Sequence, residues 1–248
     1  MRILNWFLPI IGCTVLAGCA QQKWALAEGQ HPQAYAARVT QVVGGKFLLF
    51  LPAGFQAHGK TRYPLLIFLH GSGEAGDDLE KVKAHGPPEM VASRPDFPFI
   101  VASPQAETGS RFDPVALNVM LDELLARLPV DKDRVYLTGL SLGGIWSYGW
   151  ASRNPERFAA IAPVCGRWEP EDACKLKDTP TWAFHGARDD SVPIDDDKAM
   201  VAAINACGGH AKLSVYPDIG HDVWDVAYGD PKLYEWLLQQ RRHVPSTK

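Results

Sequence analysis

Ser141 lies in the stretch L-T-G-L-S-L-G-G-I at residues 137–145, flanked at two-residue spacing by Gly139 and Gly143. In the pattern G-x-S-x-G the small neighbours allow a sharp turn that leaves the serine hydroxyl exposed. A serine hydroxyl is a poor nucleophile in water. It becomes effective when an imidazole takes its proton and a carboxylate fixes the tautomer of that imidazole and stabilises its charged form. Such a trio performs acyl transfer through a covalent intermediate, so the rest of the chain must supply a base, an acid and a site for an oxyanion.

Four histidines follow Ser141. His243 sits in the basic tail R-R-H-V-P and reads as solvated surface, while His210 follows Gly208-Gly209, where a cation at a helix C-terminus is sufficient explanation. His185 closes the apolar run T-W-A-F-H and reads as a core histidine with its polar atoms satisfied. His221 lies in P-D-I-G-H-D-V-W, a loop between a strand pattern and a helix pattern, and is the predicted general base. The acid should leave the tip of a strand beside that of the nucleophile. Asp189 and Asp190, just beyond W-A-F-H-G, meet that condition equally; residues 195–197 read as negative charge at a helix N-terminus, and Asp218 as a solvated loop acid. The oxyanion needs two backbone N–H donors. These are predicted at Leu142, next to the nucleophile, and at Ser72 in the glycine-rich loop L-H-G-S-G-E-A-G-D-D. No Lys-Ser/Thr pair follows the glycines, which argues against a phosphate cradle.

These groups converge only if the strand tips that carry them share one edge of a sheet. The runs Y-P-L-L-I-F-L-H, F-P-F-I-V-A, R-V-Y-L-T, F-A-A-I-A-P, T-W-A-F-H and K-L-S-V-Y read as strands, and R-V-T-Q-V-V with K-F-L-L-F-L-P reads as a hairpin about Gly44-Gly45. Helical spacing of apolar residues covers 115–128, 142–152, 195–207 and 231–242. The alternation predicts an α/β domain: a mostly parallel sheet of about eight strands with helices on both faces. Residues 164–179, the interval where a lid could be inserted, are too few for a large cap, which predicts an open site.

In order along the chain, H-G-S-G-E-A-G-D-D, S-P-Q, G-L-S-L-G-G, P-E-R-F-A-A-I-A-P-V-C-G, W-A-F-H-G-A-R-D-D-S-V-P and Y-P-D-I-G-H-D-V-W resemble the capless α/β-hydrolases related to dienelactone hydrolase, polyhydroxybutyrate depolymerase and feruloyl esterase. The branch is the one often labelled predicted peptidase or phospholipase/carboxylesterase. The resemblance implies one α/β-hydrolase domain over residues 38–248 and a serine carboxylic ester hydrolase. Its pattern H-G-x-x-D-x-x-V-P maps the acid onto Asp189. After P-x-C-G the family usually carries a glycine run, where this chain has Arg167-Trp168, so substrate preference does not carry over. His70, Arg167, Trp168 and Trp224 are the candidates to line the pocket. The expected substrate is a small-molecule or polymer-linked ester, with no metal and no organic cofactor. Two rivals stand beside this reading: a serine peptidase of the same fold, and a non-catalytic envelope lipoprotein that binds glycan through its tryptophans.

A formal charge of -3, from 25 Lys+Arg against 28 Asp+Glu with no basic run, speaks against nucleic acid as a partner. Met1-Arg2 precedes an apolar run without further charge until Lys23, which reads as an export signal. Leu16-Ala17-Gly18-Cys19 resembles a bacterial lipobox, which implies a signal peptide over 1–18, lipidation of Cys19 and a polar tether over 19–37. Ala20 after the cysteine then points to the outer membrane of a Gram-negative cell, facing the periplasm or the surface, with the lipid as the expected membrane contact. Cys165, Cys174 and Cys207 remain for one bridge and one free thiol; Cys165 with Cys174 closes the shortest loop, and Cys174 with Cys207 stays open. No residue pattern fixes an oligomeric state.

Overall fold

The structure is a computed structural model that describes residues 43–109 and 111–242. The predicted signal peptide, lipidated Cys19, the tether and most of the first hairpin arm lie outside the described residues.

Among those residues the elements run β1 (Phe47–Phe50), β2 (Tyr63–Leu69), α1 (Pro87–Met90), β3 (Ile100–Pro104), α2 (Pro114–Arg127), β4 (Val130–Leu140), α3 (Leu142–Arg153), β5 (Ala160–Val164), β6 (Thr181–Gly186), α4 (Ile194–Ala206), β7 (Ala211–Tyr216), α5 (Trp224–Gly229) and α6 (Pro231–Gln239). The seven strands form one open sheet in the order β1-β3-β2-β4-β5-β6-β7. All neighbours pair in parallel except β1, which runs antiparallel to β3. Seven strands stand where about eight were expected, and the remaining expected strand is the hairpin arm R-V-T-Q-V-V.

β2 shows why the sheet is sandwiched. Leu65, Ile67 and Leu69 enter one apolar layer while Leu66 and Phe68 enter the other, and none is more than 1% exposed. A strand's period of two sends neighbours to opposite faces, so a continuous apolar run needs cover on both. Each such side chain contributes about 1.5–3 kcal/mol on burial. Leu117, Leu121 and Leu124 of α2, Tyr148 and Trp150 of α3 and Met200 and Ile204 of α4 fill the first layer. Ala227 and Tyr228 of α5 with Leu233, Tyr234 and Leu237 of α6 fill the second.

Local signals set the helix ends. Asp113 accepts from the Val115 N–H and Asp230 from the Lys232 N–H, each ahead of a proline at the first helical position. α6 stops at Gln239, short of the predicted 242. Beyond it, the Tyr136 hydroxyl donates to the Gln240 carbonyl and the Arg242 N–H donates to the Asp133 carbonyl, which draws the chain across the sheet instead.

The cysteine pairing corrects the shortest-loop expectation. Cys174 is bonded to Cys207, with Cα atoms 5.2 Å apart and a sequence separation of 33, and Cys165 is free and buried. Cys165 caps β5 among the strand tips. The segment that follows folds down onto α3 and α4, where Ala173 and Leu176 are buried, and this brings Cys174 to the end of α4.

Candidate active site

β4 ends at Leu140 and α3 begins at Leu142, which leaves Ser141 alone at the turn with φ 52° and ψ -115°. A non-glycine residue at positive φ costs of order 1–3 kcal/mol and persists only where its surroundings enforce it. Here the Ser141 N–H donates to the Val164 carbonyl at 3.0 Å and faces the Cys165 sulfur at 3.3 Å, and the Ile145 N–H donates to the Ser141 carbonyl. The flanking glycines permit the approach. A Cβ on Gly143 would stand 1.8 Å from the Leu69 carbonyl oxygen, and one on Gly139 would stand 2.5 Å from the backbone of Gly143.

His221 arrives on the loop after β7, and Asp189 on the loop after β6. The imidazole Nε2 lies 2.8 Å from the Ser141 Oγ, and its Nδ1 lies 2.8 Å from Oδ2 of Asp189. An ionised carboxylate only accepts, so Nδ1 carries the proton and Nε2 is free to accept the serine proton. The other Asp189 oxygen accepts from the Ser191 and Val192 N–H groups, each at 2.9 Å. Burial alone would raise this carboxyl; the His221 bond and the two N–H groups outweigh it and hold it below the usual carboxylate range. Asp190 is exposed and meets only the Ser191 hydroxyl, at 3.4 Å. The three residues brought together are therefore Ser141, His221 and Asp189, an arrangement able to pass a proton from hydroxyl to imidazole.

Ser72 and Leu142 each open a helical turn, where N–H groups lack an intrahelical acceptor. No backbone carbonyl among the described residues accepts from either. Their loops adjoin the nucleophile, since a Cβ on Gly71 would lie 3.8 Å from the Ser141 Cβ.

The expected pocket lining is corrected in part. His70 is fully buried: its Nδ1–H donates to the Gly71 carbonyl at 2.5 Å, and its Nε2 accepts from the Ala106 N–H at 2.9 Å. It fastens the glycine-rich loop to the chain at Ala106 from within the core. Trp168 also stands elsewhere. Its ring lies on Gly149, further along α3, under the Arg153 guanidinium at 5.0 Å, and its Nε1–H donates to Asp172. Arg167 beside it is exposed. Trp224 does adjoin the site, edge-on to the His221 ring with centroids 5.4 Å apart. Sequence reasoning missed two further neighbours: His85, whose ring packs on Trp224 at 5.4 Å, and Glu74, whose Oε1 lies 3.9 Å from the His85 Nε2. Glu74 lies within the glycine-rich loop and His85 beyond it, and their position is set by tertiary contacts.

His185 is the core histidine expected, with no exposure. Its partners were not foreseen: Asp197, assigned above to a helix N-terminus, is wholly buried against it. Cys165, Asp189 and His221 also place ligand atoms within 4.8 Å of one another. Burial pushes the Cys165 thiol well above its usual value, so it keeps its proton, and the other two residues are already bonded to each other; the set does not suit a metal ion.

The model of the Dienelactone hydrolase family matches residues 111–224. A poly(3-hydroxyalkanoate) depolymerase C of Paucimonas lemoignei is 29% identical over 133 residues, which are 47% of this chain and 30% of that protein. An Escherichia coli (strain K12) protein provisionally named carboxymethylenebutenolidase is 29% identical over 100 residues, 37% of each chain, so the matches span well under half of these relatives. Among solved structures, a thermostable esterase superposes with a TM-score of 0.67 at 28% identity, covering 79% of this chain and 59% of that one. The family match includes Ser141, Asp189 and His221, and the sheet order, the strained serine turn and these likenesses agree: the chain has an α/β-hydrolase fold and, over residues 111–224, is similar to the dienelactone hydrolase family.

Proposed function

We propose that the chain is a serine carboxylic ester hydrolase. The observation that carries this reading is the pair of 2.8 Å contacts joining Ser141, His221 and Asp189 at a strained turn. His221 takes the Ser141 proton as the hydroxyl oxygen attacks the ester carbonyl, and the N–H groups of Leu142 and Ser72 hold the resulting oxyanion. The imidazolium then protonates the departing alcohol. Water enters, gives its proton to His221 and releases the acid by the same path. Asp189 stays ionised throughout and keeps the imidazole oriented.

The acyl and alcohol parts are those of a small or polymer-linked carboxylic ester, in keeping with relatives named as depolymerase and esterase and with a site that carries no cap. The Cys174–Cys207 bond supports action outside the cytoplasm, because disulfides persist in oxidising compartments. With the export signal and Cys19 it favours work at the cell envelope. Core packing accounts for Trp150, which is fully buried, and this weakens the glycan-binding alternative.

The test is Ser141→Ala in the full chain. Hydrolysis of p-nitrophenyl butyrate should be abolished and labelling by a fluorophosphonate probe lost, with the circular dichroism spectrum unchanged. Retention of most activity refutes the mechanism.

A further inference from the structure

We infer that His185 is a positioning residue for this reaction, a buried imidazolium held by Asp197 that sets its charge against Asp189 from behind. The inference rests on the serine hydrolase reading and extends it by one layer of residues.

The ring of His185 meets acceptors at both nitrogens. Nδ1 lies 2.9 Å from Oδ2 of Asp197, and Nε2 lies 2.9 Å from the Val192 carbonyl oxygen and 3.2 Å from Oδ2 of Asp189. That last atom is the same oxygen that accepts from His221. A carbonyl can only accept, so Nε2 is protonated whatever else holds. Nδ1 faces a carboxyl, and one proton must lie between them because two bare lone pairs would otherwise oppose each other at hydrogen-bond distance. Burial pushes the Asp197 carboxyl up and so pulls this proton toward oxygen. Two groups oppose that pull. The Tyr148 hydroxyl of α3 donates to Oδ1 of Asp197 at 2.5 Å, and Asp189 sets a negative charge on the far side of the ring. Burial would also lower the imidazole, and the bonds to Asp197 and Val192 with the charges of Asp197 and Asp189 carry it above its usual value.

α3 contributes Tyr148, α4 contributes Asp197 with Asp196 beside it, the loop after β6 contributes Asp189 and Val192, and the tip of β5 contributes the protonated Cys165 thiol. Asp189 thus accepts three hydrogen bonds, two N–H groups on Oδ1 and His221 on Oδ2, and the His185 ring stands as a charge partner 3.2 Å from Oδ2. The cation behind the carboxylate fixes its position and offsets part of the negative charge that faces the catalytic imidazole.

Asp197→Asn keeps the shape and removes the charge that holds the second proton. In the full chain it should lower kcat for p-nitrophenyl butyrate about 10- to 100-fold with KM within about twofold, since no member of the pair touches the pocket. With the cation gone, the charge of Asp189 is no longer offset, and the acidic limb of the kcat/KM profile should move up by about 0.5–1 pH unit. A loss equal at every pH, with the limb unmoved, overturns the inference and marks the pair as packing alone. Ser141→Ala run alongside separates the two claims: activity surviving there sinks the hydrolase reading itself. If Asp197→Asn does not fold, ¹⁵N-histidine NMR of the wild-type chain decides. Both ring nitrogens of His185 should carry protons throughout about pH 5 to 8, and an unprotonated Nδ1 in that range overturns the proposal.

Discussion

Asp189 illustrates how a single side chain is specified by its donors. Its neighbour Asp190 has the same chemistry and the same loop, yet only Asp189 turns inward, toward His221 and two backbone N–H groups. Asp189→Asn should therefore fold normally and lose activity by about 10⁴-fold in kcat, because an amide can donate to Nδ1 and so favours the wrong tautomer; stopped assays on p-nitrophenyl butyrate would measure it. Gly143 makes the opposite kind of demand, for space. Gly143→Ala drives a methyl group into the Leu69 carbonyl, so the turn must open, and both activity and thermal stability should fall. Ser141 and His221 were legible in the sequence because each sits in a loop bounded by unmistakable strand and helix patterns. Asp189 and Asp190 were not separable from spacing alone, since the choice depends on which way the loop turns, and the family pattern was needed. Asp197 does lie in the first turn of α4 as expected, but its burial was not legible because its partners, Tyr148 and His185, come from elements far away in the chain.

The elements themselves were largely legible, and the reason is burial. Strands covered on both faces must be apolar without interruption, and the helices between them must show one apolar stripe, so the alternation is written in composition. Connections are less constrained. The segment between β5 and β6 gave no sign that it would lie along α3 and α4, and so neither the place of Trp168 nor the Cys174–Cys207 bond could be read. That bond closes a loop of 33 residues, for which the chain-entropy model gives roughly 3–4 kcal/mol. Cys174→Ser should lower the melting temperature by about 6–15 °C without changing kcat, since the bond lies away from Ser141. Calorimetry and the ester assay on the same sample would check both halves.

For the molecule as a whole, the charged array sets how acid affects it. The Asp189 carboxyl lies below its usual value in the folded state, so its contribution to stability is present above about pH 4 and is lost as the pH falls through the lowered value. Activity should vanish before the fold is lost, because the reaction needs a free proton acceptor beside the nucleophile. A pH titration of rate followed by return to neutrality should restore full activity from the inactive but folded range. Loss of activity and of near-ultraviolet circular dichroism at the same pH would contradict this order.

The folding of the β5–β6 segment onto the helices has one more consequence. Among the described residues no lid must swing aside before an ester reaches Ser141 or after an alcohol leaves, so turnover should not wait on a gate. Added viscogen should leave kcat almost unchanged, and an ester tethered to a bead should be cleaved nearly as readily as one in solution.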